Sequence, residues 1–172
     1  MSRAEQPSRR TVLAVAVAAA VAGSAGPAVA VGTTADADLD EVTGLVDNHA
    51  WTTYGDWRAG AAKGTRAVAG SRPGVVIGAP AGTTDYADPH TGTTATWEYA
   101  TWTSPVHRLA KPSTEVIASW NAHTPAGTWI QIELQGTYSD GTATPWYVMG
   151  RWAAGDGDIK RTSVDDQTDD KS

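Results

Sequence analysis

Between Thr128 and Gln135 the chain alternates strictly, with Ile130, Ile132 and Leu134 set between Trp129, Gln131, Glu133 and Gln135. Successive side chains of a strand point to opposite faces, so this pattern predicts a half-buried strand with one wet side. A second run sets Trp97, Tyr99, Thr101 and Thr103 against Glu98, Ala100, Trp102 and Ser104, and Pro105 closes it. Residues 114–121 predict a further strand, with Val116, Ala118 and Trp120 on one face. Asp140-Gly141 marks a hairpin turn, and the return strand over residues 143–152 sets Trp146, Val148, Gly150 and Trp152 against Tyr147, Met149 and Arg151. From Arg58 to Pro80, glycines separate short β-prone pieces at residues 66–68 and 75–77, the pattern of a meander. Residues 81–96 read as a turn-rich loop and residues 42–58 as a short helix or turn. Outside the N-terminus no apolar stripe of helical period persists beyond two turns. The prediction is an all-β chain, an antiparallel β-sandwich or jelly roll over residues 46–155.

The N-terminus has a different pattern. Ser8-Arg9-Arg10-Thr11 leads into an uncharged Ala/Val-rich run from Val12 to Val21, then Gly23, Ser24, Gly26 and Pro27 break it, and Ala28-Val29-Ala30 follows. A charged start, an apolar stretch and a small-residue cleavage site are the order of an export signal. The paired arginines point to the twin-arginine route. Residues 1–30 therefore predict a signal helix that is removed, and the apolar run is too short to span a bilayer comfortably, which takes about 20 residues. The expected location is secreted, with no stable membrane insertion after cleavage. Residues 31–45 predict a flexible acidic leader. Residues 156–172 predict an acidic tail or the start of a linker to a missing domain, leaving the sandwich without a closing strand.

Charge narrows the partners. The chain carries 13 basic and 19 acidic residues. Removing residues 1–30 takes away Arg3, Arg9, Arg10 and Glu5, which leaves 10 basic and 18 acidic residues and a net charge of −8. Such a surface repels nucleic acid and anionic membranes. Cysteine is absent from the chain, so disulfides, thiolate metal sites and a cysteine nucleophile are excluded within it. Eight tryptophans and five tyrosines accompany no phenylalanine. These residues suit a β core, and equally a face that stacks sugars or peptides, because each joins an apolar body to a polar tip.

Among the tryptophans, Trp129 is the best candidate for an exposed platform, since it shares a strand face with Gln131 and Glu133; Trp102, between polar loops, is the next. Trp129, Gln131, Glu133 and Trp102 form the candidate binding set. Glu98, Glu115 and Glu133 are placed on predicted strands and could supply the carboxylate pair of a glycoside hydrolase. Ser104 and His107 are sequence neighbours, a spacing that rarely gives a nucleophile and its base the right geometry. His49, His90, His107 and His123 show no metal-ligand spacing. Asp156-Gly157-Asp158 with Asp165 and Asp166 lacks the distal glutamate of an EF-hand. No cofactor or metal is expected.

Longer motifs carry a resemblance. Trp97-Glu98-Tyr99-Ala100-Thr101-Trp102-Thr103-Ser104-Pro105 is followed by Ala118-Ser119-Trp120-Asn121-Ala122, Thr124-Pro125-Ala126-Gly127-Thr128-Trp129-Ile130, Trp146-Tyr147-Val148-Met149-Gly150-Arg151-Trp152-Ala153 and Asp158-Ile159-Lys160-Arg161-Thr162-Ser163-Val164. Over residues 49–166 this series resembles the β-rich N-terminal region of secreted papain-like peptidases of the bacteriocin-processing type, family thirty-nine of the cysteine peptidases. The resemblance implies an accessory region that precedes a peptidase domain with a cysteine nucleophile and a histidine. That domain is absent here, and no catalytic residue carries over. The resulting expectation is a secreted, non-catalytic β-sandwich that binds or positions, its partner a cell-wall polysaccharide or a peptide. The alternatives are a free-standing carbohydrate- or cell-wall-binding module and a hydrolase that uses strand carboxylates.

Overall fold

The computed structural model describes residues 11–20, through their backbone pairing, and residues 46–170. The expectations for residues 1–10, 21–45 and 171–172 lie outside the described residues. The chain is all-β, as its alternation predicts. In order it forms β1 (Thr11–Ala20), α1 (Tyr54–Ala59), β2 (Ala61–Lys63), β3 (Thr65–Val68), β4 (Gly74–Ile77), β5 (Gly82–Ala87), β6 (Thr94–Thr103), β7 (His107–Arg108), β8 (Thr128–Gln135) and β9 (Tyr147–Trp152). A seven-stranded sheet runs β2-β6-β1-β8-β9, with β5 paired to β6 and β7 to β1, and β3 and β4 form a separate hairpin.

Most pairings are antiparallel, but β1 runs parallel to β6, β7 and β8. This differs from the expected signal helix: Thr11–Ala20 is a strand in the middle of the sheet. Its composition permits either state, and two free strand edges offer its backbone ladder partners on both sides, so tertiary context overrides a short apolar run's weak preference.

Three further differences have local causes. Residues 82–87, read as loop, form β5, because Gly82 to Ala87 pair with Tyr99 to Thr94 across the whole first half of β6. Residues 114–121, read as a strand, are irregular. Ser113 turns back there to bond Glu115, and among the described residues no strand pairs with this segment. Trp120 instead lies against the backbone of β9 at Gly150, where a Cβ would come within 3.0 Å of its ring. Residues 156–169, read as a tail, pack onto the sheet: Arg151 and Thr162 exchange backbone hydrogen bonds, and Gln167 caps Val148 through both its amide groups. Ile159 is wholly buried beside Trp97, Trp129 and Ala153.

The segment read as a short helix or turn over residues 42–58 holds a helix only at its end, and that helix opens on a capping box, Thr53 Oγ1 accepting from Asp56 N at 3.2 Å while Asp56 Oδ2 accepts from Thr53 N at 2.7 Å. The chain then passes Trp102 at Gly60, where a Cβ would lie 2.4 Å from the indole. The β8–β9 hairpin follows the Tyr138–Thr142 turn, and a register shift between Ile132 and Glu133 absorbs Met149.

Candidate functional site

Register sorts the sheet into two faces. On one face Tyr86, Trp97 and Tyr99 share rows with Trp129, Gln131, Glu133 and Arg151. On the other lie Glu98, Ala100 and Trp102 with Ile130, Ile132 and Leu134.

The predicted binding set divides between these faces, and its two tryptophans are not platforms. Trp129 is 3 % exposed and Trp102 1 % exposed. Trp129 is covered by Tyr86, ring centroids 4.9 Å apart, and by the edge of Trp97 at 5.8 Å. Trp102 is covered by Trp57 at 4.8 Å and Trp51 at 6.3 Å, and its Nε1 donates to the Trp57 carbonyl at 2.8 Å. Trp102 lies on the apolar face, whereas Trp129 lies on a face that is polar on average and is buried all the same, because an adjoining strand supplies an aromatic partner. Trp146, placed by alternation among the strand residues, is the exposed tryptophan, at 39 %.

Gln131 and Glu133 are half-buried and belong to one network. Gln131 Nε2 donates to Glu133 Oε1 at 2.5 Å, and Arg151 Nε donates to Gln131 Oε1 at 2.7 Å. The Arg151 guanidinium also lies over the Tyr86 ring, 5.1 Å from its centroid. Burial raises the Tyr86 phenol above its ordinary value, and the nearby guanidinium opposes that rise. The network fixes the polar half of the face but leaves its one carboxylate without a second. Glu98 is on the opposite face of the sheet from Glu133, and Glu115 is exposed in the irregular 109–127 segment. These three glutamates do not form the pair that glycoside hydrolysis needs.

The structure gathers a group that linear spacing scattered. His49 and His107 stack with centroids 4.0 Å apart, Trp51 meets His49 edge-on at 4.5 Å, and Asp47 Oδ1 is 3.4 Å from His107 Nε2. The Ala110 amide donates to Asp47 Oδ2 at 3.1 Å and, with His107, holds the Asp47 carboxyl below its ordinary value despite some desolvation. Nothing in the sequence pairs residues so far apart. Only the fold does so, by laying the segment that precedes α1 against β7. His107 is thus engaged by Asp47 and His49. Among the described residues no group of three or more histidines and carboxylates is placed to hold a metal ion. In the acidic 156–166 stretch, Asp158 accepts from the Gly127 amide at 2.6 Å, and Asp156 faces Arg161 at 3.9 Å. No helix among the described residues is long and apolar enough to cross a membrane.

No curated protein and no solved structure matches the chain. A family model does match, that of the Peptidase C39 N-terminal domain, over residues 47–172. The match takes in β2 to β9, the Trp97–Trp129 core and the packed C-terminal segment, and it covers most of the chain. By that match this chain belongs to the family of the peptidase C39 N-terminal domain.

Proposed function

We propose that the chain is a secreted, non-catalytic domain that binds or positions peptide on behalf of a family-thirty-nine cysteine peptidase. The family match over residues 47–172 carries this reading. The reaction of such a peptidase needs a thiolate nucleophile, and the chain has no cysteine. The Gln131, Glu133 and Arg151 side chains hydrogen-bond to one another. The Arg9-Arg10 motif with its apolar run and small-residue cleavage site supports export. The acidic balance argues for a neutral or basic partner rather than nucleic acid.

The test uses the purified full chain. Incubation with casein and a peptide library should leave both uncut. Passage over immobilised library peptides should retain the chain, while insoluble peptidoglycan, chitin and cellulose should not. Hydrolysis would overturn the non-catalytic reading, and retention on polysaccharide alone would replace the peptide partner with a cell-wall one. Export is tested separately: replacing Arg9 and Arg10 by lysine should keep the chain inside a bacterial host that otherwise secretes it.

A further inference from the structure

Strands β6 and β8 do not pair with each other; each bonds to β1, which separates them. Thr11 to Ala16 pair with Glu98 to Thr103 on one side, and Thr11 to Ala18 with Thr128 to Gln135 on the other. The match to the domain family begins at residue 47, so the strand in the centre of this domain's sheet comes from outside the domain. It is also the apolar run of the export signal. Neighbouring strands lie about 4.8 Å apart, so without β1 the gap between β6 and β8 is one strand wide. It would be lined on both sides by backbone groups that lose their partners.

The rows explain what fits. Leu13, Val15 and Val17 occupy register positions in the row of Ala100, Trp102, Ile130, Ile132 and Leu134, the buried apolar face. Ala14, Ala16 and Ala18 occupy the row of Thr101, Thr103, Gln131, Glu133 and Gln135. By register, the branched apolar positions of this strand share the row of Trp102 and Ile132, and its small positions share the row of Gln131 and Glu133. Polarity is fixed too, because the inserted strand runs parallel to both neighbours.

We propose that β6 and β8 form a strand-acceptor slot, filled by Thr11–Ala20 in the uncleaved chain and, once that segment is removed, by an extended uncharged peptide that alternates branched apolar with small residues and runs parallel to both walls. Main-chain hydrogen bonds supply the affinity and the two rows the sequence preference, as when a peptide adds a strand to an open edge. The inference rests on the peptide-positioning reading above and names the place and the ligand class.

The experiment starts from the full chain with a site-specific protease sequence inserted between Gly32 and Thr33. After cutting, a fluorescent peptide with the sequence of residues 11–20 is added and followed by anisotropy. Saturable one-to-one uptake is expected, with at least about tenfold weaker uptake when lysine replaces the residue corresponding to Val15, since that position is in register with the buried Trp102 and Ile132. A cut chain that stays folded, releases residues 11–20 and takes up no peptide overturns the slot. If cutting unfolds the chain, added peptide should restore cooperative unfolding, and failure to do so also overturns it. In the uncut chain Val15→Pro should raise amide exchange in β6 and β8 by about tenfold or more through loss of a ladder donor; unchanged exchange counts against the slot. Mass spectrometry of the recovered peptide separates the two ideas. Intact peptide supports both, whereas cleaved peptide removes the non-catalytic reading and leaves the slot standing.

Discussion

Two tryptophan clusters flank the central sheet, and they are built differently. Trp129, with Tyr86, Trp97 and Ile159, is held by apolar packing and ring contacts: its indole Nε1 is buried without a hydrogen-bond partner. Trp102, with Trp57 and Trp51, is held by stacking and by a hydrogen bond to the Trp57 carbonyl, which ties the sheet to α1. Apolar area is the shared ingredient, and directional bonding is what separates the two. The first cluster can tolerate a change of ring; the second specifies one.

The comparison breaks most visibly under truncation. Trp102→Ala should destabilise the chain by about 4 kcal/mol, as large-to-small changes of buried aromatics do, measured by urea unfolding. A loss below about 1 kcal/mol would mean that Trp102 is not the anchor of its cluster. Next comes Asp88, a buried carboxylate near the Tyr86 cluster that accepts from the His90 amide at 2.9 Å and reaches the Lys160 amide at 3.4 Å. Burial opposes its charge, but these amides and Thr91 outweigh that effect and hold the carboxyl below its ordinary 3.8. A carboxyl depressed in the folded state contributes stability above its unfolded value and loses it as pH falls through the folded one. Asp88→Ala should therefore cost about 1–3 kcal/mol at neutral pH, with the difference from the parent shrinking below about pH 3.8.

The ring comparison is finer. Trp102→Phe should cost about 1 kcal/mol more than Trp129→Phe, because only the former strands a carbonyl; equal losses would erase the distinction between the clusters. Thr53→Ala removes the cap of the helix that carries Trp57 and should cost about 1 kcal/mol, with tryptophan fluorescence changing at Trp57 and Trp102 rather than at Trp129. The smallest effect is spectroscopic. The Tyr138 hydroxyl donates to Asp169 at 2.7 Å, and this bond pushes its phenol up to about 12. In a 295 nm titration one tyrosine should ionise there, and Asp169→Asn should return it towards 10.0. Stability tied to this bond is present below pH 10.0 and is lost as pH rises towards 12.

Much of the strand content was legible from periodicity. β6 and β8 alternate so cleanly that their faces could be assigned residue by residue, and Asp140-Gly141 marked a turn by local chemistry alone, whereas the Thr53 cap was not read from the sequence. Residues 114–121 carry similar alternation and form no strand, because a strand exists only where another backbone completes its ladder. The same argument in reverse explains β5, whose polar sequence Gly-Thr-Thr-Asp-Tyr-Ala gives little hint of a strand until β6 lies beside it. The candidate site divides likewise. Gln131 and Glu133 were placed on one polar face, and they hydrogen-bond there. The exposure of Trp129 and Trp102 was misjudged, because it depends on Tyr86 and Trp57, more than forty residues away along the chain in each case.

By itself, then, the sequence determined the β class, the position of the main strands, the acidic surface, the absence of a thiol nucleophile and the family. Each of these depends on composition, on neighbours within a few residues or, for the family, on a series of short motifs along the chain. The tertiary structure decided which indoles are buried, that His49, His107 and Asp47 meet, that the acidic C-terminal stretch packs against β9, and that an apolar N-terminal run fills the gap between β6 and β8. Those outcomes depend on pairing between distant segments, where burial and backbone hydrogen bonding together outweigh local preference.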